Sequence, residues 1–381
     1  MANVGGEGAG NRFTRAEIDL HALRSNVKEL ARRAGTSQLW AVVKANAYGH
    51  GAVACSSVAL ESGARGLCVA LTQEALELRS AGIDAPLMVL SEQPTSDVPN
   101  LVRHGVICVA YTRHYIDALT EESRRQSRRT RVHLKIDTGM HRVGADPVDA
   151  VERATQIASS PDLELHGVMT HLATADDIGH PATLRQIDEF RRVLAQVRGV
   201  APEPTHVHVA NSAATLRSIM PECTMVRSGI ALYGLSPGGG VADHMTGLHP
   251  VMSLRSRVSH VQRVRAGEGV SYGLRSTLSS DTTVATLPIG YADGIARRSW
   301  ETAARVLVGG RRRRILGVVT MDQLMLDCGN DSVRVGDEAV IFGSQSGENL
   351  SVEEWASALG TITYEIVCGV SARVPRDYLG A

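Results

Sequence analysis

The feature that most constrains this chain is an alternation repeated eight times. Apolar runs of strand length fall at residues 39–43, 66–70, 86–90, 106–111, 132–136, 165–170, 206–210 and 225–232. Segments with helical spacing of apolar residues take turns with them, at 22–34, 52–62, 73–81, 98–104, 113–125, 147–159, 182–197 and 213–219. Several runs are apolar almost without a break, as strands covered on both faces are. Eight such strands in about 230 residues predict an α/β fold of one kind, the parallel (β/α)8 barrel, which typically takes about 250 residues. An open doubly wound sheet is the competing architecture.

The pattern changes after about Pro250. Short strand-like pieces follow at 258–264, 283–287, 304–308, 315–319, 324–327 and 339–342, and only 352–359 reads as a helix. Gly309-Gly310 between two of these pieces is a hairpin signal. The expected organisation is a loose tail over 1–13, a barrel over 14–249 and a β-rich C-terminal domain over 250–381. The tail has neither the basic start nor the apolar run of a signal peptide.

Composition excludes several function classes. Forty Lys+Arg balance forty Asp+Glu, so no global field would hold nucleic acid or an anionic membrane. No apolar stretch reaches the roughly 18 residues of a spanning helix. Six cysteines are scattered without a CxxC pair, which fits a reducing cytoplasm better than a disulfide scaffold. The run Arg311 to Arg314 has no interleaved aromatics to stack on bases and reads as a solvated strand edge. The cluster Arg124 to Arg131 reads as a solvated helix end.

In a (β/α)8 barrel, function sits at the carboxyl ends of the strands. The first strand ends at Lys44, within AVVKANAYGHG. A lysine there is either a snorkelling surface residue or a desolvated amine suited to a Schiff base. The fifth strand ends in KIDTGMHRVG, with Lys135 and Arg142, and the sixth in Thr170-His171. The seventh reaches Asn211-Ser212, a strand-to-helix junction able to cradle an anion, and the eighth passes Arg227 to Gly229, where backbone can approach a ligand closely. A Schiff-base amine opposite a phosphate site is the layout that pyridoxal 5′-phosphate (PLP) requires. His206, His208 and His171 offer a rival, a divalent metal for hydrolysis, although no carboxylate with ligand spacing accompanies them.

These segments resemble the alanine racemase family. The likeness runs from AVVKANAYGHG through the fifth-strand motif, His171, Asn211-Ser212, Arg227 to Gly234, Ser271-Tyr272-Gly273, GYADG at 290–294, Thr320-Met321-Asp322-Gln323 and SARVPR at 371–376. It covers nearly the whole chain from about residue 14. The resemblance implies an N-terminal barrel, a C-terminal β-domain and a head-to-tail homodimer. It implies that Lys44 carries PLP, that Tyr48, Asn211, Ser212, Gly229, Ile230 and Tyr364 surround its phosphate, and that Arg227 faces its pyridine nitrogen. Arg142 would contact its phenolic oxygen, oriented by Lys135, the position carbamylated in many members. Tyr272, donated by the other subunit, would be the second base, with His171 near it and near Arg227. Met321 and Asp322 would meet the substrate carboxylate, with Tyr291 at the entry.

The chemistry is coherent. Racemisation takes a proton from one face of the α-carbon and returns one to the other, which two opposed bases do more readily than one. A free tyrosine titrates near 10, so the second base needs cationic or hydrogen-bonding help. Two departures stand out: His141 where many relatives carry glycine, and Thr320 where cysteine is frequent. Alternatives within the same chemistry are a racemase of broader substrate range and a barrel-type PLP decarboxylase, which would carry a glycine-rich phosphate loop and a catalytic cysteine not evident here. A non-enzymatic PLP carrier would be a single barrel. The expected use is D-alanine for peptidoglycan precursors in the cytoplasm, with alanine the small-molecule substrate and neither nucleic acid nor membrane as a partner.

Overall fold

The computed structural model describes residues 12–219 and 222–380. Contacts divide the chain into two compact units, Ala22–His249 and Pro250–Ala381 together with the residues before Ala22. Most of the expected tail, residues 1–11, lies outside the described residues. Arg12 is anchored: it donates to Arg373 O (2.6 Å) and pairs with the buried carboxylate of Asp293 (2.7 Å).

The first strand, β1 (Arg15–Asp19), alternates half-buried and buried residues in the pattern of a strand covered more on one face than the other. The barrel strands follow: β2 (Gln38–Val42), β3 (Gly66–Val69), β4 (Leu87–Val89), β5 (Ile107–Ala110), β6 (Thr130–Lys135), β7 (Leu163–Met169), β8 (His206–His208) and β9 (Met225–Ser228). All neighbours in the ladder β8-β7-β6-β5-β4-β3-β2-β9 are parallel. Across the remaining seam, Thr224 N donates to Val207 O (3.0 Å) and Arg227 N to Ala210 O (2.9 Å). The eight strands therefore make a nearly closed barrel, as the alternation predicts. The helices come where periodicity puts them, among them Leu20–Ala34, Ala52–Glu61, Arg113–Arg125 and Pro181–Arg198.

Inside the barrel, large rings face positions without a side chain. Trp40 on β2 is opposite Gly66 on β3, where a Cβ would come within 2.7 Å of the indole. His133 on β6 is opposite Gly167 on β7, with the same 2.7 Å clearance. These two glycines are needed for close approach, not for backbone freedom.

The second unit is built on a mixed sheet. Its further strands are β10 (Met252–Arg257), β11 (His260–Val264), β12 (Gly269–Val270), β13 (Ser276–Thr277), β14 (Thr282–Leu287), β15 (Arg305–Val308), β16 (Arg311–Leu316), β17 (Leu324–Asp327), β18 (Glu338–Gln345), β19 (Glu348–Leu350) and β20 (Arg376–Leu379). The order is β11-β14-β17-β16-β15-β18-β10-β1-β20, with β19 on β18 and β12-β13 as a separate ribbon. Thus β1 pairs antiparallel with β10 and parallel with β20. The boundary expected at residue 14 accordingly differs: β1 lies in the sheet of the second unit, and the barrel unit begins at Ala22.

Gly309 and Gly310 both have positive φ (62° and 69°) and turn β15 into β16, as a two-residue hairpin requires. The arginine run is not a sheet edge, because β16 lies between β15 and β17. Three of its four charges meet carboxylates: Arg311 and Arg313 share Asp331, and Arg312 pairs with Glu354. A second helix, Thr363–Gly369, follows Val352–Leu359 where the sequence suggested only one.

Gly66→Ala is expected to destabilise the protein by about 1–3 kcal/mol, because the new methyl overlaps a fully buried indole that has no other place to go. Urea denaturation checks this; an unchanged midpoint would mean that Trp40 does not fill the space over β3.

Candidate active site

The exit of β2 is conformationally unusual. Ala45, Asn46, Ala47 and Tyr48 all have φ between 51° and 54°, a left-handed turn immediately after Lys44. L-residues pay roughly 1–2 kcal/mol each in this region. The turn is secured on both sides. Ala47 N donates to Val43 O (2.8 Å), Gly49 N to Ala45 O (3.0 Å) and Gly51 N to Asn46 O (2.9 Å). Asn46 Oδ1 accepts from Ala52 N (2.7 Å) at the start of the next helix. Glu74 accepts from Ala45 N (2.5 Å) through one oxygen and from Ala70 N (2.7 Å) through the other, tying the exits of β2 and β3 together. Sequence reasoning missed Glu74; its one local mark is its place three residues after Leu71 at the head of a helix.

The turn carries the Tyr48 hydroxyl to Gly229, where a Cβ would stand 2.4 Å from it. Ser212 Oγ accepts from Gly229 N (2.8 Å) and lies 3.4 Å from Ala231 N. Ile230 is fully buried behind this cradle. Tyr233 braces the region by donating to Val42 O (3.0 Å) and stacking on His50 (4.3 Å between centroids). Asn211 caps the helix Ser212–Leu216: its Oδ1 accepts from Ala214 N (3.1 Å), and its Nδ2 donates to Leu172 O (3.4 Å).

Beside the cradle sits Arg227, buried inside the barrel. It donates to His208 Nδ1 (2.5 Å), Thr170 O (3.0 Å) and Val209 O (3.2 Å), with His171 Nδ1 at 3.4 Å. Among the described residues no carboxylate pairs with it. Burial lowers its pKa to about 10, still protonated near neutrality. Lys135, at the end of β6, is lowered to about 8 by burial and then by Arg227 and Arg142. Burial and the same cations hold His171 well below its ordinary value, so its imidazole is neutral. Arg142 itself is solvent-exposed. The opposing charge, Asp137, is occupied: its Oδ1 accepts from the backbone of Gly139, Met140 and His141. The barrel thus gathers Lys44, Tyr48, Lys135, Arg142, His171, Ser212, Arg227, Gly229 and Ile230 into one cationic mouth with a preformed cradle. The rival arrangement does not assemble, because His208 and His171 both face Arg227 and His206 packs against other rings.

The second unit has its own cluster of expected residues. Tyr272, in a tight turn, is 72% exposed, and Met321 and Tyr291 are exposed as well. Tyr291 N and Ala292 N donate to Thr320 O and Met321 O (2.9 and 3.0 Å), and a Cβ on Gly290 would meet these same carbonyls. Ser271 Oγ donates to Val318 O (2.6 Å). Asp322 pairs with Arg373 (2.7 Å), which also approaches the buried Asp293 (3.5 Å). These three loops are therefore interlocked, although Arg373 and Asp293 are visible in the sequence only inside longer motifs. Tyr364 lies on the helix Thr363–Gly369 of this unit.

Comparison with known proteins decides the family. Residues 18–237 match the model of the alanine racemase N-terminal domain, and 251–378 that of the C-terminal domain. The chain belongs to the alanine racemase family. It is 43% identical to the alanine racemase of Symbiobacterium thermophilum, over 97% of this chain and 98% of that protein. The alanine racemase of Frankia casuarinae is 42% identical over 98% of each. The crystal structure of alanine racemase from D-cycloserine-producing Streptomyces lavendulae superposes with a TM-score of 0.93 at 41% identity, over 98% of each chain. As an alanine racemase, the enzyme is an isomerase that interconverts the enantiomers of alanine.

Ala45→Gly is expected to stabilise this racemase by about 0.5–1 kcal/mol, the relief of one exposed left-handed alanine less the added freedom of the unfolded chain. A shift of the urea midpoint to higher concentration checks it; a shift to lower concentration would mean that the turn is not strained at this residue.

Proposed function

We propose that the barrel mouth binds pyridoxal 5′-phosphate on Lys44, and that Lys44 and the Tyr272 of a second copy exchange the α-proton of alanine. The observation that carries this reading is the charge of the mouth. Lys44, Lys135, Arg142 and Arg227 converge around one largely committed carboxylate, and the buried Arg227 has backbone and imidazole acceptors instead of an anion. Such a site suits a ligand with a phosphate, a phenolic oxygen and an aromatic nitrogen that accepts. The cradle fits too: Ser212, Gly229 and Ile230 with the Tyr48 hydroxyl leave no room for a side chain at Gly229. Tyr364 is the further phosphate partner in this reading, and Asn211 serves it by capping the helix that begins at Ser212.

Pyridoxal 5′-phosphate held there would supply an electron sink for the α-carbon of alanine. The residues do the rest. Arg227 would face the ring nitrogen as a donor that does not surrender its proton, which would leave that nitrogen unprotonated and electron withdrawal moderate. Arg142 would meet the phenolic oxygen. Lys135, with its pKa lowered to about 8, presents enough neutral amine to add carbon dioxide, releasing a proton and gaining the negative charge that would orient Arg142. The Lys44 amine serves one face of the α-carbon and the Tyr272 hydroxyl the other, each taking the proton in one direction of turnover and returning it in the other. Met321 and Asp322 receive the substrate carboxylate, and Tyr291 lies at its entry.

A homodimer follows from the same reading. Tyr272, Leu274 and Met321 are 72%, 65% and 52% exposed in one chain, large side chains that a partner would cover. Among the described residues no helix is long and apolar enough to cross a membrane. The use we infer for D-alanine is peptidoglycan precursor synthesis in the cytoplasm.

Borohydride reduction of the holoenzyme followed by peptide mapping is expected to find the cofactor on Lys44; attachment to any other lysine would refute the assignment. Tyr272→Phe is expected to keep its cofactor and to lose about 10²–10⁴ in kcat/KM. The loss must be equal in both directions, because the enantiomers have equal free energy. D-alanine should still exchange its α-proton with solvent through Lys44. Unchanged racemisation would exclude Tyr272 as the second base.

A further inference from the structure

Three histidines are joined end to end in the barrel interior beneath Arg227. Arg227 Nη1 donates to His208 Nδ1, His208 Nε2 lies 2.8 Å from His133 Nδ1, and His133 Nε2 lies 3.0 Å from His166 Nδ1. His206 packs edge-on against His166 at 4.8 Å between centroids. The strands are shaped for this column. The register between β6 and β7 shifts at Val132/His133, so that Val132 pairs with Leu165 and His133 with Gly167. His166 is the extra residue of that irregularity, a β-bulge of the kind that re-aims a side chain. Gly167 then leaves the space that the His133 ring occupies, within 2.7 Å of where a Cβ would be.

The protons in this column are determined from one end. A guanidinium has donors and no acceptor. His208 Nδ1 must therefore accept, and a neutral His208 carries its proton on Nε2. That proton points at His133, whose Nδ1 accepts and whose own proton then lies on Nε2, facing His166 Nδ1. Burial keeps His133 and His208 neutral, reinforced for both by the Arg227 charge. Every lone pair along the hydrogen-bonded line faces Arg227, and every proton faces away from it.

We propose that this column stands in for the carboxylate that Arg227 lacks, with His133 a positioning residue that fixes His208 in the one tautomer able to accept from Arg227. With the proton on Nδ1 instead, His208 would oppose a donor to a donor, and the guanidinium would leave its place. The functional consequence rests on Arg227 facing the cofactor ring; the tautomer assignment stands without that reading.

Nitrogen NMR of the holoenzyme with labelled histidine reads each tautomer at neutral pH. His208, His133 and His166 are expected to be neutral with the proton on Nε2, and an Nδ1 proton on His208 or His133 overturns the proposal with no variant needed. In His133→Leu, His208 loses its acceptor. We expect mixed His208 tautomers, a shifted absorption band of the bound cofactor, and kcat lower by about tenfold, the worth of one hydrogen bond in this setting. KM for alanine should hold, because His133 touches no substrate. His133→Asn sets an amide oxygen near the former Nδ1 and should restore the band and the rate. Wild-type spectrum and rate in a folded His133→Leu, or no rescue by a folded Asn variant, would refute the positioning role. If His133→Leu does not fold, His166→Leu supplies the same comparison from the far end, with an unchanged His133 tautomer, spectrum and rate counting against the column. A wild-type protein that fails to bind pyridoxal 5′-phosphate would overturn the cofactor reading and leave the tautomer measurement intact.

Discussion

A guanidinium sealed inside a barrel without a carboxylate partner governs the surroundings of this site. A buried cation is costly unless it is hydrogen-bonded and matched. Arg227 is hydrogen-bonded through both Nη atoms, to His208, Thr170 O and Val209 O, yet those partners are neutral. Its charge propagates outward: it depresses Lys135 and His171, and with burial it keeps His133 and His208 neutral. A structural arginine could have been matched by an acid at little evolutionary difficulty. An arginine left bonded but unmatched is suited to meeting a ligand that accepts a hydrogen bond and brings its own negative charge nearby.

The scaffold serves that cation through absent side chains as much as through present ones. Gly66 admits Trp40, Gly167 admits His133 and Gly229 admits the Tyr48 hydroxyl. In each case the partner is a ring or a phenol whose position depends on a missing Cβ. The same logic operates in the second unit, where Gly290 lies against the carbonyls of Thr320 and Met321. Close backbone approach, with the hydrogen bonds from Tyr291 N and Ala292 N, holds the two loops in a fixed relation.

How much of this was legible in the sequence depended on the range of the interactions involved. The barrel strands were legible because burial on both faces writes itself as continuous apolar runs, and the helices between them because one-sided burial writes a 3.6-residue period. Strand β1 was not, because its partners β10 and β20 are more than two hundred residues away and nothing local marks the pairing. The helix Thr363–Gly369 was obscured by Thr363, Ile366 and Val367, β-branched residues that favour strands when taken alone. The arginine run looked like an edge because the carboxylates that match it, Asp331 and Glu354, come later in the chain. At the site, the residues proposed to react stand in recognisable motifs, while their supports do not. Glu74 is an ordinary helix-start glutamate until its two oxygens are seen to join two strands, and His133 is a lone histidine until the bulge beside it is known.

The left-handed turn after Lys44 shows why the supports are necessary. Four consecutive L-residues in a disfavoured region would relax into an ordinary helix or an extended exit if left to themselves. Either change would swing Tyr48 off Gly229 and reorient the lysine that precedes it. Glu74, Asn46 and the backbone bonds of Ala47 and Gly49 over-determine the strained form, so its cost is borne by contacts on three neighbouring segments. Strain of this kind is useful where a side chain must be aimed: the left-handed turn sets the direction in which β2 delivers Lys44 at its end, and the bonds around the turn hold that direction.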